Sequence, residues 1–199
     1  GYLHAAGDGD NNHAEALAAK ADSWLIRDAL FKYHAACHLT HASIENVLQV
    51  RDRVPVDAIE QVTLTVNPSI LDVCGIPTPT TGLEGKFSLR GTTALAWLGE
   101  NTGDAATFVD TTINRDDVQA LLQRVNVDTD QSLTTFQSRL LCVDRSKQSF
   151  DAYWDTNQPA ADLAVQGERL AAKFRLLGGT TEQAAAIAGL ADAERVAAL

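Results

Sequence analysis

The stretch IEQVTLTV, residues 59–66, decides the fold. Apolar and β-branched residues alternate with polar ones at period two, the pattern of a half-buried strand. Pro55 stops whatever precedes it, and Asn67-Pro68 punctuates its end. Upstream, Ile44, Val47 and Leu48 recur at helical spacing, so a helix is expected over residues 37–52. Downstream, a short helical turn is expected over residues 69–73. A strand between helices, with more of both to follow, reads as α+β: a small sheet with helices packed on it.

Further along, GIPTPTTGLEGK (residues 75–86) reads as a Pro/Gly/Thr loop of the kind that covers a site. Ser88 can cap a helix reaching Leu98, with Leu89, Ala94, Leu95 and Leu98 as its apolar face. Asn114 is expected to cap another, burying Val118, Leu121 and Leu122. Strands are expected over residues 125–128, 137–143 and 149–154, the last two joined by a turn at residues 144–147. A helix over residues 162–177 should stop at Gly178-Gly179. Thr180 and Gln183 form a capping box for a helix over residues 181–191, with a further turn or two to residue 199. At the other end, residues 1–12 are Gly/Asp/Asn-rich and read as loose, and residues 14–21 are Ala-rich and helix-prone. Residues 24–33 read as extended or mixed.

Composition narrows the function classes. The 199 residues are 45% hydrophobic and 21% charged, which is globular and long enough to bury a core. A net charge of −10 argues against nucleic acid or an anionic membrane as partner. It leaves room for a small anionic substrate, because a pocket's local field can oppose the net charge. No apolar run approaches the roughly 20 residues that span a bilayer. The N-terminus has neither the basic nor the apolar region of a signal peptide, so a cytoplasmic location is expected. The chain does not begin with Met, which suggests a piece of something longer. Cys37, Cys74 and Cys142 are odd in number and widely spaced, which supports neither a disulfide framework nor a metal knuckle. Cys74 and Cys142 read as core residues, and Cys37 as buried and inert.

Chemistry concentrates in FKYHAACHLTHASIENVLQVR, residues 31–51, which holds three of the chain's five histidines. On a helix, His34, Cys37, His38 and His41 would fall at i, i+3, i+4 and i+7 and form one stripe. Three readings compete: a zinc site, an amphipathic helix carrying imidazoles in its first turns, and the wall of a catalytic site. Four ligands from one helix face rarely wrap an ion, so no metal is expected. In the third reading Lys32 supplies positive charge and an imidazole moves a proton. A second cluster is Lys86, Ser88 and Arg90, around the N-terminus of the helix capped by Ser88, where an anion is favoured. Its bland alternative has Phe87 packing as a staple while Lys86 and Arg90 point to water.

Taken together, KYHAACHLTHASIENVL (residues 32–48) and GLEGKFSLRGTTALAWL (residues 82–98) resemble the paired signatures of the MmgE/PrpD family. IEQVTLTVNPSILDVC between them and RLLCVDRSKQSFDAYWD after them fit the same pattern, and GYLHA at the start is similar to a segment preceding this half in the family. The family includes 2-methylcitrate dehydratases, cis-aconitate decarboxylases and iminodisuccinate epimerases, which work on small di- and tricarboxylic acids without an iron–sulfur cluster or obligatory metal. The resemblance implies no cofactor. It implies an α/β lid domain over residues 31–160, preceded at residues 1–30 by a remnant of a large helical domain. Residues 161–199 would return to that domain. The implied partners are the missing N-terminal helical domain, a carboxylic acid substrate and a second subunit.

Residue by residue, the resemblance makes Lys32 the substrate-facing lysine and His41 the member of the recurrent Thr-His pair. Those two are the expected catalytic residues. His34, Cys37, His38, Lys86, Ser88 and Arg90 are the expected substrate-binding set. Cys37 stands where the decarboxylases have histidine, which counts against decarboxylation. His34-Ala35 replaces an aromatic-proline pair, and Arg90-Gly91 replaces a Pro-Tyr common in relatives. The implied chemistry is proton abstraction beside a carboxylate, dehydration foremost. The alternative is a binding or interaction module that keeps the lid fold without catalysis.

Overall fold

The computed structural model describes residues 29–189. The chain divides into two compact units, Gly1–Phe31 and Lys32–Leu199, and the architecture below is that of the second. The expectations for residues 1–28 and 190–199 lie outside the described residues.

After a 3₁₀ turn at His38–Thr40, helix α1 runs His41–Val50. Strand β1 is Ile59–Val66, the stretch read first in the sequence. A 3₁₀ turn at Pro68–Ile70 leads into α2 (Leu71–Cys74), then come α3 (Gly82–Lys86) and α4 (Leu89–Trp97). Next are α5 (Asp110–Ile113), α6 (Asp116–Leu122), β2 (Val125–Thr129), β3 (Gln137–Asp144) and β4 (Ser149–Asp155). Helices α7 (Leu163–Leu176) and α8 (Thr181–Ala188) close the described chain. This is an α+β fold.

The four strands lie in the order β2-β1-β3-β4. β1 pairs with β2 in parallel, from Val62 opposite Val125 to Val66 opposite Thr129, so the helices between them form a crossover. β3 runs antiparallel to β1, with a register shift between Ile59 and Gln61, and β4 runs antiparallel to β3. Alternation selects the covered face. Val62, Leu64 and Val66 of β1 are buried with Leu140 and Cys142 of β3, whereas Leu141 and Tyr153 remain 45% and 49% exposed. α1 packs on β3, β4 and α4, and α4 in turn on β2 and α6. Ile44, Val47, Leu89, Leu95, Val118 and Leu122 fill the space between the helices and the sheet.

Two expectations change. Residues 75–86 are not loop throughout, because their last five form α3. Thr81 caps α3 in a capping box with Glu84, whose carboxylate also accepts from the Thr80 amide at 2.7 Å. Gly82 has to be glycine there, since a Cβ would lie 2.2 Å from the Phe108 carbonyl oxygen. Asn114 does not cap the helix after it. Its amide donates to the Asp110 and Thr80 carbonyls at 2.8 and 2.6 Å, closing α5 and tying it back to the loop. The guanidinium of Arg115 grips Glu100 and Asp117 at the start of α6. Among the described residues no helix is long and apolar enough to cross a membrane.

Ser88 holds the centre of this layer. Its hydroxyl accepts from the Gly91 amide at 2.9 Å and donates to the Ile76 carbonyl at 2.7 Å. Replacing an N-cap serine with alanine costs about 1–2 kcal/mol, here with the partly buried Ile76 carbonyl also losing its donor. Ser88→Ala should therefore lower the unfolding free energy by that amount in urea. An unchanged midpoint would mean that the cap is dispensable.

Candidate functional site

The segment from Lys32 to Cys37 belongs to neither helix nor strand. Its position is set by backbone hydrogen bonds to a distant loop and to the end of α3: Ala35 N–H donates to Thr102 O at 2.8 Å, and Cys37 N–H to Lys86 O at 2.9 Å. The second of these joins the two motif stretches directly. The expected helical stripe is therefore corrected. His34 and Cys37 precede the helix, His38 sits in the 3₁₀ turn, and His41 alone of the four lies in α1. Cys37, at the N-cap of that turn, is extended at ψ 138°, which breaks the helical continuation toward His34.

The three imidazoles nevertheless meet. The His34 and His41 ring centroids are 4.8 Å apart at 80°, and those of His38 and His41 are 4.7 Å apart at 40°. Their environments differ. His34, 4% exposed, has Nδ1 at 2.7 Å from Thr102 Oγ1 and Nε2 at 3.1 Å from Glu45 Oε1. Both ring nitrogens are thus committed. His41 is 2% exposed, and its Nε2 has no partner among the described residues. Burial, then the charges of His34, His38 and Lys32, lowers its pKa to about 2 despite a hydrogen bond with the Ala36 backbone. His38 is only partly buried. Burial first, then Lys32 and His34, holds it below the usual histidine value.

Among the described residues no group of three His, Cys, Asp or Glu side chains is disposed to hold a metal ion. Cys37 is partly buried rather than fully so, and its thiol lies beside that of Cys74. Burial, then Cys37, pushes the Cys74 thiol far above its ordinary value. Burial, then Asp144, pushes Cys142 up to about 11. Both are core residues and poor nucleophiles.

The positive groups sort by exposure. Lys32 is exposed, while Lys86 is half-buried with its ammonium 5.8 Å from the Phe108 ring centroid. Arg90 is half-buried in the first turn of α4. Ser88 has no exposed surface and spends its hydroxyl on the cap, so a direct hold on a ligand does not fit it.

The sequence reasoning missed Glu45, Thr102 and Arg169. Glu45 is 7% exposed on α1 and accepts from both His34 and Arg169 of α7. Burial opposes its ionisation, but hydrogen bonds from His34 and Arg169 and the Arg169 charge outweigh that and keep its carboxyl below the usual range. Arg169 also stacks on the Tyr33 ring, 3.8 Å from its centroid. An acidic residue beside Ile44 on an apolar helix face was a usable signal for Glu45. Nothing in the sequence pointed to a partner 124 residues away.

A neutral buried His41 makes stability depend on pH. Unfolding returns the ring to a pKa of about 6.5, so the unfolded chain binds the extra proton below that pH. The stability is fully present above about pH 6.5 and is lost as pH falls toward the folded pKa; by pH 5 the loss is about 2 kcal/mol. His41→Phe should remove that part of the decline in urea unfolding at pH 7 and pH 5. A slope unaffected by the substitution would show that the ring is not held neutral.

A comparison with curated proteins finds no match. A family model, the MmgE/PrpD C-terminal domain, matches residues 34–194, which takes in both motif stretches from His34 onward. With that match over most of its length, the chain belongs to the MmgE/PrpD family and carries its C-terminal domain.

Proposed function

We propose that the chain is the C-terminal domain of a lyase or isomerase that abstracts a proton beside a carboxylate of a small di- or tricarboxylic acid, with dehydration as the favoured outcome. The observation that carries this reading is the hydrogen bond from Cys37 N–H to Lys86 O. It brings the lysine-histidine stretch and the second family stretch to one place, with the charge of Lys32 acting on His38 and His41 and the Lys86 ammonium beside Phe108.

A proton beside a carboxylate is weakly acidic, and the enolate-like state that follows concentrates negative charge. Fixed cations stabilise that charge as it develops. In this reading Lys32 and Lys86 clamp substrate carboxylates, helped by Arg90 at the start of α4. The acid–base role expected of His41 passes to His38. His41 is neutral and enclosed behind its neighbours, whereas His38 reaches solvent and its lowered pKa keeps a ring nitrogen free to accept a proton at neutral pH. Cys37 borders the site. The N-terminal helical domain would provide the opposite wall, in a cytoplasmic homodimer.

The non-catalytic module stays in view for one reason: of the three clustered imidazoles, two are fully buried. The intact protein, with the helical domain present, should convert 2-methylcitrate to an unsaturated acid, followed by ultraviolet absorbance; cis-aconitate and iminodisuccinate serve as comparison substrates. Lys32→Gln and His38→Gln should each lower kcat/KM by about 10²-fold or more. The acidic limb of the pH profile should lie below pH 6.5, because His38 is depressed from that value. Full activity in both variants would remove this site from the mechanism. Saturable binding of these acids without turnover would favour the module.

A further inference from the structure

Two of the chain's three thiols lie side by side. Cys37 precedes the turn at His38–Thr40 and Cys74 is the last residue of α2, yet their sulfurs are neighbours. Backbone contacts fix this meeting. The Cys37 amide donates to the Lys86 carbonyl at 2.9 Å, and Gly75, next to Cys74, forms a bridge with Ser88. The Ser88 hydroxyl also donates to the Ile76 carbonyl at 2.7 Å. Residues 86–88 are thus a common anchor for both cysteines. Cys142 sits elsewhere, in the sheet between Val62 and Phe150, with no exposed surface.

The paired thiols differ in access. Cys74 has no exposed surface, whereas Cys37 is partly exposed. An oxidant arriving from solvent therefore meets Cys37 first. An accessible thiol with a second one behind it is the arrangement in which a first oxidation product is captured as a disulfide. Burial makes Cys74 a slow nucleophile, but its target is already at hand, which offsets much of that handicap.

We propose that Cys37 and Cys74 form a reversible, peroxide-sensitive thiol–disulfide site. The Cys37 thiolate attacks one oxygen of hydrogen peroxide, forming an S–O bond as the O–O bond breaks. The departing hydroxide takes a proton and leaves as water; the sulfur has lost two electrons and the peroxide has gained them. The Cys74 sulfur then attacks the sulfur of the Cys37 sulfenic acid, forming the S–S bond as the S–O bond breaks. The Cys74 proton leaves with that hydroxide as a second water. In reducing surroundings the pair rests as thiols and the disulfide is transient. The Cys37 carbonyl accepts from the Thr40 amide and hydroxyl at 3.0 and 2.8 Å, so the clip bears on the turn that carries His38. None of this rests on the reaction proposed above.

The test is to treat the intact native protein with hydrogen peroxide, block the remaining thiols and map tryptic peptides without reduction. Expected, within a single chain, is peptide 33–51, which holds Cys37, joined to peptide 54–86, which holds Cys74, and released by dithiothreitol. Cys74→Ala should abolish the link and leave at Cys37 a sulfenic acid that dimedone traps. Cys142→Ala should leave the link intact. A native link involving Cys142, or further oxidation of Cys37 with Cys74 still reduced, overturns the proposal. So does a Cys37 that peroxide leaves unmodified.

Discussion

The carboxylate of Glu45, buried in the middle of α1, is the group around which the site side of the molecule is arranged. An ionised carboxylate out of water is tolerated only with close, well-directed partners, and removing one of them leaves an expensive uncompensated charge. His34 and Arg169 are those partners, one from the irregular segment before α1 and the other from the helix far down the chain. One group thus connects three pieces of chain that share no strand or common helix. Thr102, on the far side of His34, extends the connection to the loop that also receives the Ala35 amide.

That arrangement explains how an irregular segment keeps a defined place. Residues 33–37 lack the repeating hydrogen bonds of a helix or sheet, so each backbone group must find its own partner. The Thr102 and Lys86 carbonyls serve the Ala35 and Cys37 amides, one from the loop near the Glu100–Arg115 clasp and the other from the last residue of α3, just before the Ser88 cap. The sheet beneath is conventional by comparison. It supplies a rigid apolar floor on which α1 and α4 settle, and its other face is left open at Leu141 and Tyr153.

Local patterns in the sequence were enough for most of the framework. The period-two alternation of residues 59–66 marked β1 without error at either end, because a half-buried strand shows its two faces in its residue types. The Ser88 cap, the Thr180 capping box and the stop at Gly178 were readable because they depend on side chains a few residues apart. Asn114 was misread because an Asn between two short helices can serve either, and only the position of Thr80 decides which. The histidine stripe failed for a related reason. Helical spacing placed the four residues on one face, but Cys37 is extended, and the rings come together by folding back rather than by periodicity. Family resemblance named the right stretches. It carried no information about which imidazole reaches solvent, since burial is set by distant residues such as Phe136 and Arg169.

Helix α7 differs from α1 and α4 in one respect: none of its residues is buried, and Leu163 at its start is 75% exposed. Its grip on the body comes from Arg169 and Lys173, a charged pair and one hydrogen bond, with little apolar area behind them. Attachments of that kind weaken with added salt, while the apolar packing of α1 and α4 does not. The molecule therefore has a seam at which part of it opens before the rest unfolds, and amide hydrogens along α7 are released to solvent exchange while those of α1 stay protected. Both groups that cross the seam also line a cavity beside it, so parting the seam opens that cavity as well.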